Sequence, residues 1–309
     1  MIVSGQHSRF LELRALASIQ HMRFSTRNRI EGTRSGRHIS RQLGGGGEFA
    51  DYREYSPGED LRRLDWRVMS RTGRAYIKVF QDETNLVCMP VIDISGSMQF
   101  AGQTVVNETK EGRSGSKLEY AQFFVTALSH IICFGRDQVG LGLVSDKLTD
   151  FFPPASTTDH LTRLHEAIEK IRPSGSTRLA DSLEQLFQRV GRRGVLLLVS
   201  DFLADDLDAV FSKLRLFRHR GWDVVALHLV HPQEERLPTG TAFRFEGLES
   251  EGSVNCSPAE IRDLYETNFA AHLALVRKLG LSAGCDYRLV STAVPYLHTL
   301  NRFLVDRTG

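Results

Sequence analysis

The chain has 309 residues, enough for one large domain or one domain with an appendage, and 41% hydrophobic with 25% charged residues is a globular composition that excludes a disordered or fibrous chain. The formal net charge of +2 excludes a strongly one-signed molecule, yet Met1 to Phe80 carry 15 Lys and Arg against 8 Asp and Glu, so the first quarter is basic and the remainder acidic. Four scattered cysteines without a C-x-x-C pair exclude a disulfide or zinc framework, and no apolar run approaches the roughly 20 residues that cross a bilayer, so a soluble, cytoplasmic protein is expected.

Met1 to Gly47 opens with a candidate amphipathic helix around Phe10, Leu11, Leu13, Leu16 and Ile19, where Arg9, Glu12 and Arg14 interrupt any signal-type core. Gly44 to Gly47 is not a phosphate loop, because no Gly-Lys-Ser/Thr follows and no helix start is signalled after it. The arginines of this region interleave with Glu48, Asp51, Glu54, Asp60 and Asp65 and form no consecutive block, so internal pairing is favoured over a nucleic-acid surface. Between Arg53 and Trp66, Pro57-Gly58 marks a turn and the mixed charges suit a salt-bridged connector anchored by Tyr55 and Trp66; a partner-docking face is the alternative.

Leu86 to Ile94 reads as a buried strand, and its exit presents Asp93, Ser95 and Ser97 at alternate positions. One carboxylate and two hydroxyls aimed at one point are hard oxygen donors, suited to magnesium or manganese and not to zinc. Gln99 to Ser116 is a polar, Gly-rich loop bordering this point, and Lys117 to Phe134 is apolar on nearly every side, as in a buried helix. Gln138 to Val144 is the next strand, and the extended segment after it runs through Phe151-Phe152 to a close at Pro153-Pro154. Thr158 to Ile171 is an amphipathic helix on Leu161, Leu164, Ile168 and Ile171.

Gly175-Ser176-Thr177 forms a short polar loop ahead of the apolar series Leu179, Leu183, Leu186 and Val190, with Arg178 as a solvent-facing residue at the helix start. Gly194 to Asp201 is a second apolar strand ending in a carboxylate, and Asp205 or Asp206 can cap the helix that follows. Trp222 to Val230 is another buried strand; His228 and His231, three apart, cannot readily converge on one ion and read as strand-edge residues. Ala242 to Glu246 and Gly252 to Asn255 suit a small inserted hairpin, and Ser257-Pro258-Ala259-Glu260 is a capping-box start for a helix to about Leu279. Cys285 to Ser291 supplies a last strand and Pro295 to Val305 a closing helix, so the alternation as a whole predicts an α/β fold with a doubly wound, mostly parallel sheet. In such a sheet Asp93 and Asp201 end buried strands on the same edge.

Asp93-x-Ser95-x-Ser97, Thr177 in a Gly-x-Thr loop and Asp201 after a later strand together resemble the metal-ion-dependent adhesion site (MIDAS) of von Willebrand factor type A domains, over about Leu86 to Gly309. The resemblance implies that the hydroxyls touch a magnesium ion, that the aspartates act directly or through water, and that an open position takes an acidic side chain from a protein partner. The Arg53–Trp66 segment, with Gly-x-Glu-Phe before it and Ala75 to Phe80 after it, closely resembles the bacterial domain-of-unknown-function family fifty-eight, over nearly the whole chain. Members of that family join such a segment to a von Willebrand type A domain and are commonly encoded beside MoxR-type AAA+ ATPases; many begin with two membrane-spanning helices, which this sequence lacks.

The expected organisation is an Arg-rich segment over residues 1–85 packed on a main domain over 86–309. Its expected function is that of a metal-dependent adaptor, not an enzyme, working with a MoxR-type AAA+ ATPase, with magnesium or alternatively manganese bound and no nucleic-acid partner. The alternatives are a metal-dependent phosphohydrolase, for which no base is placed beside the ligands, and an interaction domain in which the five residues are only caps and turn formers.

Overall fold

The computed structural model describes residues 8–17, 24, 48–56, 64–81, 86–102, 115–173, 175, 178–191, 193–239, 243–249 and 252–308. It separates into a small unit, Ile30–Asn85, and a large one made of Met1–Arg29 with Leu86–Gly309, where the sequence implied a single boundary after residue 85. Ile19, Gly44 to Gly47, Pro57-Gly58, most of the Gln99–Ser116 loop, Ser176, Thr177 and Ala242 lie outside the described residues.

In the large unit the first short helix, α1 (Leu13–Leu16), is much shorter than the expected amphipathic one. Phe10, Leu16 and Phe24 are nevertheless buried, Phe10 edge-on to Phe123 at 5.0 Å, and the Tyr296 hydroxyl donates to Glu12 Oε2 at 2.7 Å. Tertiary packing, not helix length, holds these residues.

The small unit is built on two antiparallel strands, β1 (Glu48–Glu54) and β2 (Tyr76–Gln81), with α2 (Trp66–Thr72) between them. Asp65 starts α2: its Oδ1 accepts from the amides of Arg67 at 3.0 Å and Val68 at 3.2 Å, and the Tyr52 hydroxyl donates to its Oδ2 at 3.1 Å. Gly73 ends α2 in the left-handed conformation, φ +69°. Trp66, expected as an anchor, is 60% exposed, while Leu64 and Ile77 are the buried pair.

The remaining elements of the large unit alternate strand and helix: β3 (Val87–Asp93), α3 (Lys117–Phe134), β4 (Gln138–Val144), β5 (Leu148–Ala155), α4 (Thr158–Glu169), α5 (Leu179–Arg189), β6 (Gly194–Ser200), α6 (Leu207–His219) and β7 (Trp222–Val230). A short α7 (Pro232–Glu235) and a hairpin of β8 (Phe243–Glu246) and β9 (Ser253–Cys256) then precede α8 (Pro258–Ser282), β10 (Asp286–Ser291) and α9 (Tyr296–Thr308). The six-stranded sheet has the order β10-β7-β6-β3-β4-β5, parallel throughout except for β5. Pro153 and Pro154 do not close the extended segment but lie inside β5, an edge strand, where a missing amide donor is tolerated.

Strand alternation sorts the core into two layers. Along β6, Val195, Leu197 and Val199 join the layer with Phe124 and Leu128 of α3, Leu164 of α4 and Leu300 and Phe303 of α9. Leu196 and Leu198 face Leu183 and Leu186 of α5, Phe211 and Leu214 of α6 and Val276 of α8. This is a doubly wound, mostly parallel sheet in which the chain runs from β3 outward to β4 and β5 and then returns to β6 on the other side of β3. The loops leaving β3 and β6 therefore diverge at the topological switch, where such sheets hold ligands.

Two local expectations need correction. His228 is not a strand-edge residue but is buried within β7, between β6 and β10, and Ser257 makes no side-chain capping bond although α8 does start at Pro258. A capping box is formed instead at α7, between His231 and Glu234. All four cysteines are free thiols, and among the described residues no helix is long and apolar enough to cross a membrane.

Candidate functional site

Strand β3 delivers Asp93 fully buried at its C-terminal end. Asp93 Oδ1 accepts from the Ser95 amide at 2.9 Å, which bends the chain out of the strand, and Oδ2 accepts from Ser200 Oγ at 2.6 Å. Ser200 ends the neighbouring β6, and its hydroxyl in turn accepts from the Phe202 amide at 2.9 Å. Beyond Asp93 the chain forms a 3-10 turn, Gly96–Gln99, that sets Ser95 Oγ and Ser97 Oγ 3.1 Å apart and out of solvent.

Asp201 follows β6 directly and is 2% exposed. Its Oδ1 accepts from the Leu203 amide at 3.1 Å and its Oδ2 from Lys117 Nζ at 2.6 Å. The turn that presents it is strained: Phe202 has φ +53°, held by stacking on Phe211 at 5.5 Å and by an edge contact with His228 at 5.3 Å. A left-handed non-glycine residue costs about 1–3 kcal/mol, so packing enforces this turn against local preference.

The Asp93, Ser95, Ser97 and Asp201 of the sequence reading thus come from two adjacent strand ends. Thr177 lies outside the described residues; of its loop, Gly175 accepts from the Gly96 amide at 3.3 Å and the Arg178 amide donates to the Ser145 carbonyl at 3.1 Å. Arg178 is exposed and pairs with Asp181 at 2.6 Å, in keeping with a solvent-facing helix-start residue.

Four further residues shape the site. Lys117, at the first position of α3, is completely buried, and its ammonium bridges Asp201 and Glu234. Burial alone would lower its pKa, but the two carboxylates outweigh that and hold it above the ordinary lysine value. Glu234 sits on α7, where its Oε2 also accepts from the His231 amide at 2.8 Å. The third is Ser200, already placed on Asp93, and the fourth is Glu249, in the turn of the β8–β9 hairpin, whose Oε1 accepts from the Ser97 amide at 3.1 Å.

One signal for Lys117 is present in the sequence: a lysine directly after the helix-capping Ser116 opposes the helix dipole and opens an otherwise apolar helix, so it needs an acidic partner. Glu234 and Glu249 have no such signal, because their positions depend on how the segment after β7 folds back.

The buried charges are unbalanced. Among the described residues, the buried carboxyls of Asp93, Asp201 and Glu234 gather about one buried ammonium, that of Lys117, an excess of two negative charges when all three are ionised. Burial first, and then the charge of Asp201, push the Asp93 carboxyl up to about 7, although the bonds from Ser200 and Ser95 oppose the shift. An all-oxygen donor set rich in carboxyls fits one hard divalent cation. Among the described residues no group of three or more His, Cys, Asp or Glu is arranged to hold a metal, so such an ion depends on the hydroxyls as well as the aspartates. His228 is no candidate base: burial drives its pKa down to about 3, and Nδ1 is bonded to the Tyr287 hydroxyl at 2.9 Å.

Comparison with known proteins finds that the profile of the family described as "Protein of unknown function DUF58" matches residues 51–274. Two mycobacterial relatives, Uncharacterized protein Rv1480 of Mycobacterium tuberculosis and Uncharacterized protein Mb1516 of Mycobacterium bovis, are each 25% identical over 302 residues, covering 94% of this chain and 89% of their own. Among solved structures, BatB from Bacteroides thetaiotaomicron aligns with a TM-score of 0.46 at 16% identity over 72% of this chain and 98% of that one. An aerotolerance-related membrane protein from Bacteroides fragilis aligns with a TM-score of 0.45 at 18% identity over 72% and 99%.

Proposed function

The chain belongs to the DUF58 family of proteins of unknown function, and from the chemistry of its buried edge we propose that it is a metal-dependent protein-binding module. The observation that carries this reading is the pair of buried aspartates on adjacent strand ends, beside two hydroxyls 3.1 Å apart. Asp93, Ser95, Ser97, Thr177 and Asp201 would hold Mg2+, or Mn2+ in its place. When bound, the ion supplies an electrophilic position for an acidic side chain of a protein partner.

The chain's own residues prepare that position. Ser200 and the Ser95 amide orient Asp93, and Lys117 and the Leu203 amide restrain Asp201 ahead of the strained turn at Phe202. Binding is favoured over hydrolysis because burial leaves the histidine beside Asp201 too weak a base to draw a proton from water, its Nδ1 is engaged with Tyr287, and the exposed Arg178 is paired with Asp181. The resemblance of the Arg53–Trp66 segment supports a MoxR-type AAA+ ATPase as the partner class.

Calorimetric titration of Mg2+ and Mn2+ into the wild-type chain and into Ser97→Ala tests the metal reading: saturable binding that Ser97→Ala weakens by roughly tenfold or more is expected. Capture of an AAA+ ATPase that needs both the ion and an intact Ser97 would extend it to the partner. Identical titrations for both proteins would refute the role of the hydroxyls.

A further inference from the structure

The position proposed above for a partner's carboxylate already has an acidic side chain of the same chain beside it. The geometry points to Glu249 as an internal acidic ligand of this site, carried on the β8–β9 turn, which an incoming carboxylate must displace. The inference rests on the metal reading and deepens it by naming what the partner competes with.

Three contacts support it. The Ser97 amide donates to Glu249 Oε1 at 3.1 Å across 152 positions of sequence, and that amide belongs to a residue whose hydroxyl is a proposed ligand. The turn is seated on the loop by its backbone: a β-carbon on Gly96 would lie 2.2 Å from the Leu248 carbonyl oxygen and 3.0 Å from Glu249 Cγ, so only glycine admits this approach. The segment leading to the hairpin is fastened to the same loop, with Glu234 bonded to Lys117, the His231 ring edge-on to Phe100 at 5.3 Å, and Gly102 so close to Gln233 that a β-carbon there would lie 2.5 Å from its Oε1.

The same architecture makes Glu249 displaceable. Strands β8 and β9 form an isolated two-stranded sheet whose side chains are exposed or only half-buried, and such a hairpin is marginally stable by itself. The α7 end is anchored by a buried ion pair, and the described part of the turn rests on Gly96 and the Ser97 amide. A swing of the turn about α7 would remove Glu249 while leaving Lys117 and Asp201 in place. An acidic residue of a partner would then enter a site already shaped for a carboxylate.

The test uses Mn2+ and acetate as probes on the full chain, with wild type, Glu249→Gln and Ser97→Ala compared by titration and by water-proton relaxation of bound Mn2+. The amide of Glu249→Gln can still accept from Ser97 but brings no charge. Its Mn2+ affinity is expected to fall by roughly tenfold, with about one more exchangeable water on the ion. Acetate should then lower the relaxation of Glu249→Gln and leave wild type unchanged. Unaltered melting of Glu249→Gln shows that the effect is local.

If Glu249→Gln matches wild type in affinity, water count and acetate response while Ser97→Ala loses binding, the metal reading stands and the internal ligand is refuted. If no form binds Mn2+, both readings fall.

Discussion

Replacing Lys117 by methionine probes the charge balance of the site most directly. The side chain is 0% exposed, and its partners Asp201 and Glu234 are 2% and 11% exposed, so water cannot take over when the ammonium is removed. Methionine preserves most of the volume, which isolates the electrostatic effect from a cavity. Breaking a buried ion pair leaves an uncompensated charge and costs about 3–5 kcal/mol. Here two carboxylates are left, beside an Asp93 already pushed up by burial and then by Asp201, so the upper part of that range applies.

Urea unfolding followed by tryptophan fluorescence is the assay, because Trp222 is buried in the large unit while Trp66 is 60% exposed. The double variant Lys117→Met/Glu234→Gln removes one orphaned charge and should recover about 1 kcal/mol or more. A loss below about 1 kcal/mol for Lys117→Met, or no recovery in the double variant, would refute the claim that Lys117 compensates the charges of Asp201 and Glu234.

Two other consequences follow from the same geometry. Ser200→Ala deletes the 2.6 Å bond to Asp93 Oδ2 and should cost about 1.5–3 kcal/mol in urea unfolding, as for a buried bond to a charged group; a change within 0.5 kcal/mol would show that Asp93 does not depend on it. His165 is buried, and burial first, then the charge of His130, lower its pKa from 6.5 to about 4. The folded form therefore stays neutral where the unfolded chain takes up a proton, so stability falls as pH drops from 6.5 toward 4, on the order of 3 kcal/mol for this group. His165→Gln should flatten that part of the stability profile, and an unchanged slope would show that His165 does not contribute.

Periodicity by itself determined most of the large unit. The runs at Leu86–Ile94, Gly194–Asp201 and Trp222–Val230 are apolar on consecutive residues because both faces of these strands are covered by helices, and each became a central strand. Lys117 to Phe134 formed α3 with the expected bounds, and Leu179, Leu183, Leu186 and Val190 all became buried. Local signals without packing behind them were weaker guides. The capping box at Ser257 is present as letters but not as a bond, and the expected helix near the N-terminus shrank to Leu13–Leu16 because side-chain burial, not helix propensity, holds that region.

At the candidate site the division is similar. Asp93, Ser95, Ser97 and Asp201 are legible in the sequence because strand exits constrain them locally, one residue type at a time. Lys117, Ser200, Glu234 and Glu249 acquire their roles only when β3, β6, α3 and the segment after β7 meet. A buried lysine and a surface lysine share one letter, and a glutamate in a hairpin turn becomes a neighbour of Ser97 only through the Gly96 seat. The sequence determined which oxygen donors reach the sheet edge; long-range packing alone decided their counter-charge, their orientation and the carboxylate placed beside them, because those depend on distances between segments that no local pattern encodes.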